Sequence, residues 1–308
     1  MTFQPQSSSS PHILAIDIGG SKIVCGIVDS LGNVARSHTL PRSRNDGLDG
    51  MMETLRTCAA HILGHEPVDA VGATVPALAD AKRGLWLYAP FSGLANIPIA
   101  GLLQKEFNLP AAIDNDVNAC ALAEMRFGLC RGIRDFVWVT VSTGVGGAVV
   151  ADGALYRGSY GTAGEVGHLC VEEDPAKALR CCCGRVGCVE AMASGTGLER
   201  RYNEEGVSAK DIGRRARDGE VKAIEIFRQT GVYLGKAAAM CINLLNPTTV
   251  VFGGGVAMDF DLFSETLRQT CEERVFPEAN PRYTLAPTAL GYHAALLGAA
   301  ALGEGVRH

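Results

Sequence analysis

Between His168 and Glu190 the chain reads His-Leu-Cys-Val-Glu-Glu-Asp-Pro-Ala-Lys-Ala-Leu-Arg-Cys-Cys-Cys-Gly-Arg-Val-Gly-Cys-Val-Glu. His168, Cys181, Cys183 and Cys188 make a Cys₃His set, the donor chemistry of a closed tetrahedral Zn²⁺ site with no position left for water or substrate. Gly184 and Gly187 let the backbone turn closely enough for the thiolates to converge on one ion. Such a zinc is structural, and Glu165 and Glu190, on either side, are the carboxylates it would hold in place. Cys182 is a spare thiol between two ligands and a competitor for the same ion. Unrelated buried thiols are the alternative reading of the same residues.

Three glycine turns carry a second kind of chemistry. They are Asp17-Ile-Gly19-Gly20-Ser21-Lys22, Ser142-Thr143-Gly144-Val145-Gly146-Gly147 and Gly253-Gly254-Gly255. Glycine tolerates φ > 0 and lets a ligand reach the backbone, whose N–H groups cradle phosphate. One such turn alone reads equally well as a plain hairpin, but together they outline a nucleotide cleft. Neither the Walker A nor the Rossmann spacing is present. Asp17, at a strand end, is suited to hold Mg²⁺ beside nucleotide phosphates, or simply to cap its turn. Asn115 and Asp116 close another strand, where an α/β sheet gathers its ligands. Asp116 suits the base that takes a hydroxyl proton during phosphoryl transfer, and Asn118 is placed to add a bond to a sugar. Helix capping by Asp114 or Asp116 is the other reading.

The elements that must position these groups follow from pattern. His12 to Asp29 reads as strand, glycine turn, strand, and Val34 to Thr39 as a third antiparallel strand. A helix is expected over 48–63, a buried strand over 68–75, a short helix over 99–106, and a strand over 111–116 running into a helix over 117–127. At Asp135 the hairpin pattern restarts, with Gly19 falling on Gly144 and the Asp29–Gly32 turn near Asp152-Gly153. That weak repeat implies two similar lobes and a hinge. Helices are expected over 195–203, 209–217, 221–245, 260–274 and 294–302, with strands at 249–255 and 283–286. The lobes are expected to comprise 12–115 with 290–308, and 116–289, the latter carrying the zinc motif 168–190. Residues 1–11 read as a disordered tail.

Bulk properties exclude several classes. The chain has 308 residues, 47% apolar and 20% charged, which suits a globular core. A formal net charge of −5 offers no footprint for nucleic acid or an anionic membrane. No signal peptide or long apolar run is evident, and a reducing cytoplasm fits eleven cysteines in so long a chain.

With these residues in view, the sequence resembles the ROK sugar kinases. The resemblance runs from Ile13 to about Leu302. It rests on the Asp-Ile-Gly-Gly-Ser-Lys turn at Asp17, Asn-Asp-x-Asn at Asn115, Ser-Thr-Gly-Val-Gly-Gly at Ser142, Ala-Gly-Glu-x-Gly-His at Ala163, Cys-x-Cys-Gly-x-x-Gly-Cys-x-Glu at Cys181, and Gly-Gly-Gly at Gly253. It implies an α/β, two-lobe actin-like (ribonuclease-H-like) ATPase fold with a central cleft, a small zinc-binding subsite, and ATP:hexose 6-phosphotransferase activity. It implies Asp116 as the base, Asn115, Asn118, Glu165, His168 and Glu190 on the sugar, and His168, Cys181, Cys183 and Cys188 on structural Zn²⁺. The nucleotide, arriving with Mg²⁺, would meet Asp17, Gly19, Gly20, Ser21, Lys22, Thr143, Gly144, Gly146, Gly254 and Gly255. A cytoplasmic homodimer acting on glucose or an N-acetylhexosamine such as N-acetylmannosamine or N-acetylglucosamine is the family expectation. A sugar-responsive regulator lacking its DNA-binding domain is the alternative. Members often carry Asn in an Ala-Pro-Asn-Leu stretch; here it is Ala89-Pro90-Phe91-Ser92-Gly93-Leu94, so Ser92 and Gly93 stand in. His293 also departs from the small residue or Asn commoner there.

Overall fold

The computed structural model describes residues 12–43, 45–64, 67–89 and 93–307. The tail 1–11 and Ser92 lie outside the described residues. The chain divides into two compact units: one runs to Phe127 and resumes at His293, and the other is Gly128–Tyr292.

Unit 1 begins with β1 (His12–Ile18), β2 (Lys22–Asp29), β3 (Val34–Pro41) and α1 (Gly47–Ala60). It continues through β4 (Ala70–Val75), β5 (Leu78–Asp80), β6 (Leu85–Ala89), β7 (Leu94–Ile97) and α2 (Ile99–Phe107) to β8 (Ala111–Asn115) and α3 (Asp116–Phe127). Its main sheet has the order β3-β2-β1-β4-β8, antiparallel through the opening strands and parallel across β1, β4 and β8. Apolar side chains of β1, β2 and β4 (Ile16, Ile23, Val71) bury against Met51, Leu55 and Cys58 of α1. Each large one contributes about 1.5–3 kcal/mol.

Unit 2 holds β9 (Phe136–Val141), β10 (Val145–Ala151), β11 (Ala154–Tyr156), α4 (Val189–Ala193), α5 (Gly195–Tyr202), α6 (Ala209–Arg217) and α7 (Val221–Leu245). Then come β12 (Thr249–Gly253), α8 (Ser264–Glu272) and β13 (Thr284–Pro287); α9 (Ala294–Glu304) returns to unit 1. The unit 2 sheet, β11-β10-β9-β12-β13, repeats the order and strand directions of unit 1.

The repeat is therefore real, but its alignment shifts. Ile18 pairs with Ile23 in unit 1 and Val141 with Val145 in unit 2, so Gly19 corresponds to Ser142 rather than Gly144. The second turn is one residue tighter. In both, the first turn residue donates across the loop: Gly19 N to Lys22 O at 2.9 Å, and Ser142 N to Gly144 O at 2.8 Å.

Three departures from the sequence expectation concern the elements. The boundary expected at 115/116 falls at 127/128, because α3 packs on α9; a Cβ on Gly298 of α9 would lie 2.2 Å from Ala119 O. The helix expected over 260–274 is two pieces, a 3₁₀ segment Val256–Leu262 and then α8, because Phe263 between them takes non-helical φ/ψ. The small sheet β5-β6-β7 was not foreseen. Among the described residues, no helix is long and apolar enough to cross a membrane.

Candidate active site

In unit 1, strand register lines up the chemistry. Asp17 on β1 pairs with Thr74 on β4, which pairs with Asp114 on β8, near the carboxyl ends of three parallel strands. Thr74 Oγ1 donates to Asp17 Oδ1 at 2.7 Å. Burial pushes the Asp17 carboxyl above its ordinary value, opposed by the Thr74 bond and the charge of Lys22.

Where β8 runs into α3, the capping duties are divided. Asn115 Oδ1 accepts Asn118 N at 2.8 Å, while Asp114 Oδ1 accepts Asn115 N at 2.8 Å and Asn118 Nδ2 at 3.2 Å. Asn118 is 8% exposed with its amide turned to Asp114, so it braces the strand end. Asp116 Oδ1 takes only the adjacent Val117 N, at 3.0 Å, among the described residues. Burial, then the charges of Asp17 and Asp114, raise its carboxyl to about 7, against the backbone N–H groups that lower it. A carboxyl near neutrality at a strand end is the profile of a general base. Gly93 is exposed, just ahead of β7, at φ 66°.

In unit 2, His168, Cys181, Cys183 and Cys188 bring one donor atom each to within 4.8 Å of one another. His168 Nδ1 lies 3.7 Å from Cys181 Sγ, and Cys183 Sγ lies 3.7 Å from Cys188 Sγ. Metal–sulfur bonds of about 2.3 Å in a tetrahedron separate ligands by roughly 3.8 Å, so the donors fit a Zn²⁺-sized ion. Cys182 stands outside this set: its thiol donates to Glu190 Oε1 at 3.0 Å, which drives its pKa up to about 12. Glu190, in the first turn of α4, also accepts Val145 N at 3.3 Å through Oε2. Glu165 is exposed, 3.9 Å from His168 Nε2.

The glycine turns of unit 2 do not all face one space. Thr143 and Gly255 line a cavity of about 850 Å³ together with Ser142, Gly195, Thr196 and Arg214. That volume lies within the roughly 300–1,000 Å³ of small-molecule sites. Thr196 Oγ1 donates to Thr143 O at 3.0 Å, and Ser194 caps α5 by accepting Gly197 N at 3.0 Å. Gly254 sits at φ 92°, where a Cβ would lie 2.6 Å from Val141 O, so only glycine closes the β12 turn. Gly146 is inside β10, paired with Thr140, and Gly144 backs onto Glu190. The helix expected from Gly195 is α5, but the sequence did not place its N-terminus, with Gly195 and Thr196, on the wall of a cavity.

The ROK family model matches residues 13–305 of this chain. The chain belongs to the ROK family. Among curated relatives of this ROK protein, the glucokinase of Halalkalibacterium halodurans is 30% identical over 92% of this chain and 92% of its own length. The N-acetylmannosamine kinase of Salmonella typhi is 33% identical over 95% of this chain and 98% of its own. Among solved structures, the ROK glucokinase of Streptomyces griseus in complex with glucose and AMPPNP aligns with a TM-score of 0.83 at 29% identity, covering 96% of this chain and 99% of that one. The fold is thus the actin-like α/β fold of ROK glucokinases.

Proposed function

We propose that this ROK protein is an ATP-dependent sugar kinase that transfers the γ-phosphoryl group to the 6-hydroxyl of a hexose or N-acetylhexosamine, with glucose and N-acetylmannosamine the leading acceptors. The observation that carries this reading is Asp116, at the end of β8, bonded among the described residues only to the adjacent Val117 N–H and raised to about 7. Relatives named glucokinase and N-acetylmannosamine kinase, covered along nearly their whole length, support it.

In this reading the Asp116 carboxylate takes the proton of the 6-hydroxyl as that oxygen bonds to the γ-phosphorus and the bond to the ADP oxygen breaks. Within unit 1 the β1–β2 turn is the element for nucleotide phosphate; within unit 2 it is Thr143, Gly254 and Gly255. Asp17 is the residue to hold the Mg²⁺ that accompanies ATP and neutralises phosphate charge. Glu165, His168 and Glu190 bind ring hydroxyls. Asn115 spends its Oδ1 on the α3 cap, and its Nδ2, with no partner among the described residues, is the group to donate to one. The Cys₃His donors fit structural zinc, which would fix His168 and the Glu190 segment and supply no chemistry of its own.

A coupled ADP-release assay across hexoses and N-acetylhexosamines tests the proposal. Sugar-dependent ADP release, with the 6-phosphate identified by mass and NMR, is the expected result. No release with any member of the panel overturns it.

A further inference from the structure

Arg42 follows β3 directly and is 7% exposed. Its backbone N donates to Ser21 O at 2.9 Å, and its Nη1 reaches Gly19 O at 3.5 Å. The guanidinium therefore lies against the β1–β2 turn, whose outer residues Ser21 and Lys22 are exposed. Its Nε and Nη2 are buried and make no hydrogen bond among the described residues.

A guanidinium always carries its charge, and burying it with donors unmatched is unfavourable. The cost shows in its acidity, which burial increases against the opposing charge of Asp46. A state in which an anion meets those donors is correspondingly favoured, and ligand binding shifts a protein towards the state that the ligand contacts better. The Nη1 and backbone N–H of Arg42 both meet carbonyls of the β1–β2 turn. The same turn is where the proposed function places nucleotide phosphate, beside the guanidinium.

We propose that Arg42 is a phosphate-binding residue of unit 1, completing its two unmatched donors on the oxyanion of a phosphoryl group received by the Gly19–Lys22 turn. Arginine suits this task because its planar fork gives paired N–H donors to phosphate oxygens. The inference rests on the proposed kinase reading for the nature of the ligand. Its test reads binding without turnover, so the two can fail separately.

Thermal unfolding of the full chain and of Arg42→Met is followed alone and with MgATP, MgADP, AMP and glucose 6-phosphate. Without ligand, Arg42→Met should melt no lower than wild type, since it removes an unmatched buried charge. It should lose at least half of the stabilisation given by MgATP and MgADP, and KM for ATP should rise about tenfold while KM for the sugar stays within twofold. A loss confined to glucose 6-phosphate would place the bound phosphoryl group in the product rather than the donor and still support the assignment. Wild-type shifts with every ligand overturn it. If Arg42→Met does not fold, Arg42→Gln carries the same comparison, and failure of both to fold makes Arg42 structural and ends the proposal. A chain that bound MgATP through Arg42 but phosphorylated no sugar would leave this inference standing and remove the kinase reading.

Discussion

Asn115 Oδ1 accepts the backbone N–H of Asn118 at 2.8 Å. This bond closes the first turn of α3 and decides which of three consecutive polar residues caps the helix. Asp114 is occupied by Asn115 N and the Asn118 amide. Asp116, between them, is held in position without being consumed by the helix end. Positioning plus an uncommitted carboxylate is what a general base requires.

Asp116→Asn is accordingly expected to fold, to keep sugar affinity within a few-fold, and to lose kcat by about 10²- to 10⁴-fold. Steady-state kinetics and isothermal titration with the preferred sugar check this. Near-normal kcat would remove Asp116 from the reaction.

The raised carboxyl also sets a pH dependence. The base must be ionised, so kcat/KM for the sugar should rise with pH through about 7 and flatten above it. The stability term runs the other way. An acid whose folded pKa exceeds its unfolded value binds its proton more tightly when folded, so its contribution is full in acid and is lost as pH climbs through about 7. Asp116→Asn should therefore melt higher relative to wild type at pH 8 than at pH 5. A wild-type profile flat from pH 5 to 8 contradicts both.

Much of this was legible in the sequence because the signals are local. The apolar runs of β1, β2, β9 and β10, punctuated by glycine, announced both hairpins, and Cys-x-Cys-Gly-x-x-Gly-Cys announced a convergence of donors that could hold a metal. What could not be read depends on register. A run of capping-competent residues at Asp114–Asp116 does not reveal that Asn115 takes the cap. Strands as short as Leu78–Asp80 carry too few residues to show alternation, so β5-β6-β7 stayed hidden. The one-residue difference between the two hairpin turns placed Gly144 beside Glu190, where the alignment of Gly19 with Gly144 gave no hint of it.

The cysteines fall into two possible donor groups, His168 with Cys181, Cys183 and Cys188, and Cys181 with Cys182 and Glu190. Cys183 Sγ lies 3.7 Å from Cys188 Sγ inside the donor set, whereas Cys182 is turned to Glu190. Cys183→Ser should abolish bound metal, as measured by elemental analysis, and raise KM for the sugar at least tenfold. Cys182→Ser should retain one metal ion per chain. Equal metal loss in both variants would mean that Cys182 exchanges into the site.

Gly144 ties the turn after β9 to Glu190, the carboxylate proposed for the sugar. A Cβ at this position would lie 2.6 Å from Glu190 Oε2, the oxygen that accepts Val145 N at 3.3 Å. Gly144 has no positive φ in this fold, so Gly144→Ala strains the contact rather than the backbone. The flexible end of Glu190 is what must give way. Displacing it breaks one hydrogen bond to a charged group, on the order of 1.5–3 kcal/mol, which if spent entirely on substrate binding is about 10- to 150-fold in affinity. Gly144→Ala should therefore raise KM for the sugar at least tenfold while shifting the melting temperature little, with KM for ATP changing less. If KM for ATP rose alone, Gly144 would belong to the nucleotide site, and Glu190 would owe nothing to the turn beside it.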